Sequence, residues 1–439
     1  MRNQLEKRED LLGKKLDLLL KTGQLLIQCL ADSNRIDRNM RRIALFMGIP
    51  SENFQMHITY TTLMINVSEG SHSLTKFRKC TGHGVNMEII SGISNLSLEA
   101  IEKNYTLEQY EKCLNKITSG RRNYPRWLVI ILIGLACGGF CKLFGCDWPA
   151  VGITAIAAAT ALFARQEMHH RNFNLYLTVS ISAFIATLIA GTGFLFNLSQ
   201  TPNHPFFASV LFLIPGVPLI NCIDDMIDGY TIVGVTRAVI AFFTIGAISF
   251  GMIFALKLLG HEDYGAILTP RDSWGIIALA AAAAAGGFAV LFNVPRHTLL
   301  ICAFGGAIAV VTRNFLQYQF GLSLPLATFC GALVIGTIAN FVIRPLHVPA
   351  KVVAVPPVIA MVPGVLMYRA MIGLLEMNNI HGVEQLPTLL QTMSTGIQAT
   401  ITILCISLGV AIPLVIGRRY FDKGNQRLLK KAVLENQKE

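Results

Sequence analysis

The stretch FLIPGVPLINCIDDMIDGY, residues 212 to 230, carries Asp224, Asp225 and Asp228 at the end of an apolar run that Pro215, Gly216 and Pro218 interrupt. Asp224 and Asp228 are four positions apart and share a helix face, whereas Asp225 points elsewhere. Two carboxylates held close in apolar surroundings suit proton exchange or gating, with Arg237 on the next segment as their candidate partner. The competing reading leaves the same acids solvated at a helix end. A Pro-Gly interruption frees carbonyls before it and amide N–H groups after it; the first can hold a cation, the second a carboxylate. Asn221 follows this break. A second break, Pro363-Gly364 in VPPVIAMVPGVLMYRAMIGLLE (355 to 376), is followed by Tyr368, Arg369 and Glu376. A cation inside a membrane segment is a functional candidate. Arg369 would pair either a substrate carboxylate or Glu376, two helical turns on.

Other chemistries fit poorly. DDMIDG resembles the start of a calcium loop, but Met226 replaces an oxygen ligand and Val235 stands where the bidentate glutamate belongs. The ten cysteines form no paired framework, and Cys137, Cys141 and Cys146 read as small packing residues. His57, His72 and His83 lack ligand spacing. No GxxxxGK[ST] sequence is present, and no glycine-rich turn joins a strand to a helix in the N-terminal region. Metal, cofactor and ATP-driven work are therefore not expected, nor is an enzyme.

The two breaks are 148 residues apart, and other matches share that offset. GGFCKLF (138 to 144) returns as GGFAVLF (286 to 292), Pro215-Gly216-Val217 as Pro363-Gly364-Val365, Arg165 as Arg313 and Asp228 as Glu376. Arg165 and Arg313 read as headgroup anchors. An internal repeat with an odd number of spans per unit must insert its halves in opposite orientations. Inverted repeats of this kind belong to secondary transporters, whose substrate sites lie on broken helices near the midplane.

The elements that must position these residues are visible in the charge distribution. Residues 1 to 126 hold 19 Lys/Arg and 13 Asp/Glu, whereas residues 127 to 417 hold 11 and 10. The net charge of +11 does not point to nucleic acid, because the basic residues flank apolar segments and would set topology there. The spacing predicts an N-terminal α+β domain with helices over 14–30, 36–49, 85–102 and 107–118 and strands over 56–67 and 73–80. Ten spans are expected at 127–144, 148–164, 175–196, 206–223, 231–259, 273–293, 297–312, 322–343, 352–375 and 396–417. The fold expected is a polytopic α-helical membrane protein of two inverted five-helix repeats behind a small cytoplasmic α+β domain. Its expected divisions are 1–122, 123–262, 270–418 and a basic cytoplasmic tail over 419–439. The first thirty residues lack the apolar core and cleavage site of a secretory signal. Both termini are expected in the cytoplasm, since SGRRNYPRW and RRYFDKGNQRLLKK flank the outermost spans.

PGVPLINCIDDMIDGYTIVGVTRA (215 to 238) together with VPPVIAMVPGVLMYRAMIGLL (355 to 375) resembles the threonine/serine exporter (ThrE) family. The resemblance covers essentially the whole chain and is strongest around the two Pro-Gly motifs. It implies a cytoplasmic N-terminal domain with ten membrane spans, located in a bacterial inner membrane. It further implies export of threonine, serine or another small carboxylate, driven by protons rather than ATP. Related two-polypeptide systems are associated with dicarboxylate export, which is the alternative substrate class. By the resemblance, Pro215, Gly216, Asp224, Asp228, Gly229, Arg237, Pro363, Gly364 and Tyr368 carry the function. The fused chain should need no separate subunit, and a homo-oligomer is compatible with it. An anchored sensor or enzyme working through residues 1–126 is the alternative from another class.

Overall fold

The computed structural model describes residues 2–69, 72–261, 272–377 and 385–436. Leucines and isoleucines at helical spacing bring α1 (Arg2–Gln28) and α2 (Ser33–Phe46) together around Leu16, Leu19, Ile36, Met40 and Ile43, all fully buried. They pack with an antiparallel sheet of β1 (Phe54–Ile58), β2 (Thr62–Glu69) and β3 (His72–Lys79), in the order β1-β2-β3. The strand expected over 56–67 is thus two strands. Thr59 closes a tight turn between them, its hydroxyl accepting from the Thr62 N–H at 2.9 Å, which a run of β-branched residues does not announce. Helices α3 (Met87–Glu102) and α4 (Leu107–Ser119) complete the domain, the second opened by a Thr106–Gln109 capping box.

The membrane region comprises α5 (Arg126–Leu143), α6 (Trp148–His170), α7 (Leu175–Leu195), α8 (His204–Ala208), α9 (Gly216–Ile227) and α10 (Thr231–Leu258). It continues with α11 (Trp274–Leu291), α12 (Leu299–Gln319), α13 (Leu324–Leu346), α14 (Ala350–Ile359), α15 (Gly364–Glu376) and α16 (Gln385–Asn436). Among the described residues, eight helices are long and apolar enough to cross a membrane, or ten spans in all if each of two bent pairs is one span. The bent pairs occupy the spans expected at 206–223 and 352–375. They turn by 59° between Leu213 and Gly216 and by 60° between Ile359 and Gly364. The division expected between the halves, 262 to 270, lies outside the described residues. At the other end, α16 runs on through the expected tail to Asn436.

The halves meet through reciprocal contacts. α5 lies against α6 and α11, and α11 against α12 and α5. A Cβ on Gly139 would stand 2.6 Å from the Ala280 carbonyl oxygen, and one on Gly287 would stand 2.6 Å from that of Leu132. Gly139 with Gly287, and Leu132 with Ala280, are each 148 positions apart. Phe140 and Phe288, at the same offset, meet edge to face with centroids 5.9 Å apart.

The N-terminal domain docks on both halves. On the second, the Met87 and Glu88 amides donate to the carbonyls of Phe292 and Asn293 at 2.9 and 3.0 Å. On the first, the α1–α2 turn reaches the end of α9, as described next.

Candidate functional site

Each break has the same backbone form. Pro215 (φ −76°, ψ 57°) and Pro363 (φ −79°, ψ 58°) are the central residues of inverse γ-turns, with the following glycine amide donating at 2.8 Å to Ile214 O and Val362 O respectively. The amides of Gly216 and Gly364 are therefore turned onto their own chain, so these two are not among the N–H groups a break could offer to a carboxylate. The absence of a side chain lets the breaks nest. A Cβ on Gly216 would run into Ile359, and one on Gly364 into Ile214 and Leu211. Between the breaks lies a cavity of about 10 Å³ lined by Phe140, Leu211, Ile214, Phe288, Ile359 and Val362, three pairs at the 148 offset. It has room for one water.

Two of the expected site residues tie the broken spans together. The fully buried Tyr368 hydroxyl donates to Val210 O at 3.0 Å, just before the first break. Arg369 lies over the Phe207 ring of α8, with Cζ 5.3 Å from the centroid. Glu376 ends α15, as Asp228 caps the end of α9. Gly229 follows with φ +87°, a left-handed C-terminal position that a side chain would strain.

The acidic cluster is rearranged relative to expectation. Asp224 and Asp225 are both buried, so the solvated-loop reading fails for them, while Asp228 is half-buried at the helix end. Arg237 pairs with Asp225 at 2.9 Å, not with Asp224 or Asp228 as expected from the shared face. The reason is that α10 packs along the side of α9 from which Asp225 projects. Asp224 instead meets Lys351, at the start of α14, with Nζ 2.7 Å from Oδ2.

The N-terminal domain supplies the rest of this cluster. Asp32, the N-cap of α2, accepts from the Arg35 amide at 3.0 Å and pairs with Arg35 Nε at 3.1 Å and Lys351 Nζ at 3.3 Å. The Ser33 amide donates to Asp225 Oδ1 at 2.8 Å, Asn221 Nδ2 to Leu30 O at 2.9 Å and Arg237 Nη2 to Ala31 O at 2.7 Å. Three buried carboxylates thus meet three cations, the balance that burial of charge requires. Asp32, Asp225 and Lys351 were not singled out by spacing. Lys351 does have a sequence signal, as the lone charge in the apolar stretch from Pro345 to Tyr368. Among the described residues no cluster of His, Cys, Asp or Glu could hold a metal ion.

Comparison with known proteins agrees with this architecture. The family model described as "Putative threonine/serine exporter" matches residues 17–259, and that described as "Threonine/Serine exporter, ThrE" matches residues 277–416. The "Probable succinate transporter subunit YjjP" of Klebsiella aerogenes is 31% identical over 248 residues, 56% of this chain and 95% of that protein. Its Escherichia coli K12 counterpart is 32% identical over the same shares. The "Probable threonine/serine exporter" of Mycobacterium tuberculosis is 21% identical over 326 residues, 71% of this chain and 61% of that one. No solved structure matches the chain.

Proposed function

This chain belongs to the threonine/serine exporter family, and from that premise we propose that it is a secondary transporter exporting small carboxylates, threonine and serine first. It is a multi-pass membrane protein. The observation that carries the reading is the nesting of the two Pro-Gly breaks across reciprocal contacts, Gly216 against Ile359 and Gly364 against Leu211. An anchor for an N-terminal enzyme needs no such internal symmetry. Inverted halves rocking about these contacts would open the central cavity alternately to either side. In the conformation described, the cavity is too small for an amino acid.

Placement in a bacterial inner membrane, with the N-terminal domain and both termini in the cytoplasm, is supported by the basic flanks at 119–127 and 418–431. Protons are the proposed coupling ion, with Asp224 and Asp228 as the carrying groups and Arg237, Asn221, Tyr368, Arg369 and Glu376 lining or bracing the path. A second reading, export of a succinate-like dicarboxylate, is favoured by the higher identity to proteins named succinate transporter subunits. Full-length protein in liposomes loaded with labelled serine, threonine or succinate tests both. The expected result is efflux of one of them that responds to an imposed pH gradient. Folded protein that moves none of the three would overturn the reading.

A further inference from the structure

Between the N-terminal domain and the membrane helices lies a pocket of about 420 Å³ lined by Arg35, Arg38, Arg42 and His347, with Asn39 and Asn340. Among the described residues its lining carries these cations and no carboxylate, the sign of wall that draws an anion. Two of its lining residues link it to the charge cluster. Arg35 holds Asp32 at 3.1 Å, and Ala350 of the pocket wall is adjacent to Lys351, which holds Asp32 at 3.3 Å. Asp32 is therefore a carboxylate gripped by a guanidinium on the pocket side and an ammonium on the membrane side, beside the first amides of a helix. A free carboxylate would be recognised by the same groups.

One observation marks this contact as one that can open. Lys351 lies closer to Asp224, at 2.7 Å, so it keeps a partner when Asp32 leaves. Leu30, in the same turn, takes φ 61° as the left-handed residue that ends α1, with the Ala31 amide donating to Leu26 O at 3.0 Å. The membrane domain holds this turn through Asn221 on the Leu30 carbonyl and Arg237 on that of Ala31.

We propose that the junction pocket receives the substrate's carboxylate on the N-terminal-domain side, and that Asp32 is the resident carboxylate it displaces from Arg35 and Lys351. The identity of the ligand as substrate rests on the exporter reading above. When Asp32 is displaced, the Leu30–Ser33 turn withdraws, releases Asn221 and Arg237, and uncovers the end of α9. In the closed state the turn seals that end.

Cys29 is a native reporter of the turn. It is 5% exposed, and burial pushes its thiol up to about 12, so it alkylates slowly while the turn is seated. Full-length protein in liposomes is treated with N-ethylmaleimide, and labelling of Cys29 is compared by peptide mass spectrometry with that of Cys137, fully buried among the membrane helices. Without ligand, Asp32→Asn should raise the Cys29 rate at least about tenfold, since it weakens the charge-assisted contacts to both Arg35 and Lys351, and leave Cys137 unchanged. In the wild type, whichever of serine, threonine or succinate is transported should also raise it, and Lys351→Met should abolish that response. A transported ligand that leaves Cys29 protected overturns the proposal, as does Asp32→Asn labelling at the wild-type rate. If Asp32→Asn raises Cys137 in step, the variant has unfolded, and Arg35→Gln, which weakens the same contact from the pocket side, replaces it. Failure of all three compounds to move counts against the exporter reading, and the ligand-free arm still decides the Asp32 contact.

Discussion

Lys351 Nζ stands 2.7 Å from Asp224 Oδ2, fastening the first helix of one broken span to the last helix of the other. The same ammonium lies 3.3 Å from Asp32, so it answers to two buried carboxylates. Removing it strands Asp224 and leaves Asp32 to Arg35, whereas removing Asp224 leaves Lys351 one partner. Breaking a buried pair from one side costs about 3–5 kcal/mol. Lys351→Met is expected to reach that range, and Asp224→Asn to fall short of it while also abolishing export. Thermal unfolding of the purified variants measures the difference; equal losses would mean that Asp32 contributes nothing to holding Lys351.

The close approach of α5 and α11 should be equally intolerant of a methyl group from either side. At Gly139 and Gly287 the added carbon would meet a carbonyl oxygen at 2.6 Å, and backbone cannot swing aside. At neighbouring Gly286 the nearest atom is Ala303 Cβ at 3.5 Å, an ordinary contact. Gly139→Ala and Gly287→Ala are each expected to destabilise by about 1–3 kcal/mol, and Gly286→Ala by far less. A uniform loss across the three in unfolding measurements would contradict the reciprocal packing.

Tyr368 was a substrate candidate by motif, but its hydroxyl is spent on Val210 O at 3.0 Å. Tyr368→Phe keeps the ring and removes that bond while the Leu213 amide stays on Val210 O, for a loss of about 0.5–1.5 kcal/mol. The expected signature is a lower unfolding midpoint with an unchanged KM for export. A raised KM at an unaltered midpoint would return the hydroxyl to the substrate path.

The membrane architecture was legible because apolar length and the 148-residue echo are one-dimensional signals. The breaks at Pro215 and Pro363 were legible for the same reason, since proline fixes the backbone locally. The charge partners were not. Helical spacing placed Asp225 off the face shared by Asp224 and Asp228, correctly, but the face that matters is set by α10 and by the Ser33 amide, which is 192 positions away in sequence. Lys351 was passed over because the span was drawn from residue 352, one position beyond it, and charged residues at span ends ordinarily meet headgroups. Asp32 carries an N-cap signature before α2, and that local role concealed its second one across the domain junction.

The docked N-terminal domain should loosen in acid through His83. Its ring lies against Tyr60 with centroids 4.2 Å apart, and Tyr60 in turn lies under the Arg237 guanidinium. Burial holds the His83 imidazole below its ordinary value of 6.5, and Arg237 adds to this against the opposing pull of the Ile27 carbonyl. With the folded value depressed, both states are neutral above about pH 6.5 and the residue has no effect there. As the pH falls below that, the unfolded chain takes up its proton first, so stability declines until the folded value is passed. His83→Gln removes the proton uptake and should flatten this part of the pH profile. Unfolding midpoints at about pH 7.5 and about pH 5.5 compare the two proteins, and an acid decline that survives unchanged in His83→Gln would assign it to other groups.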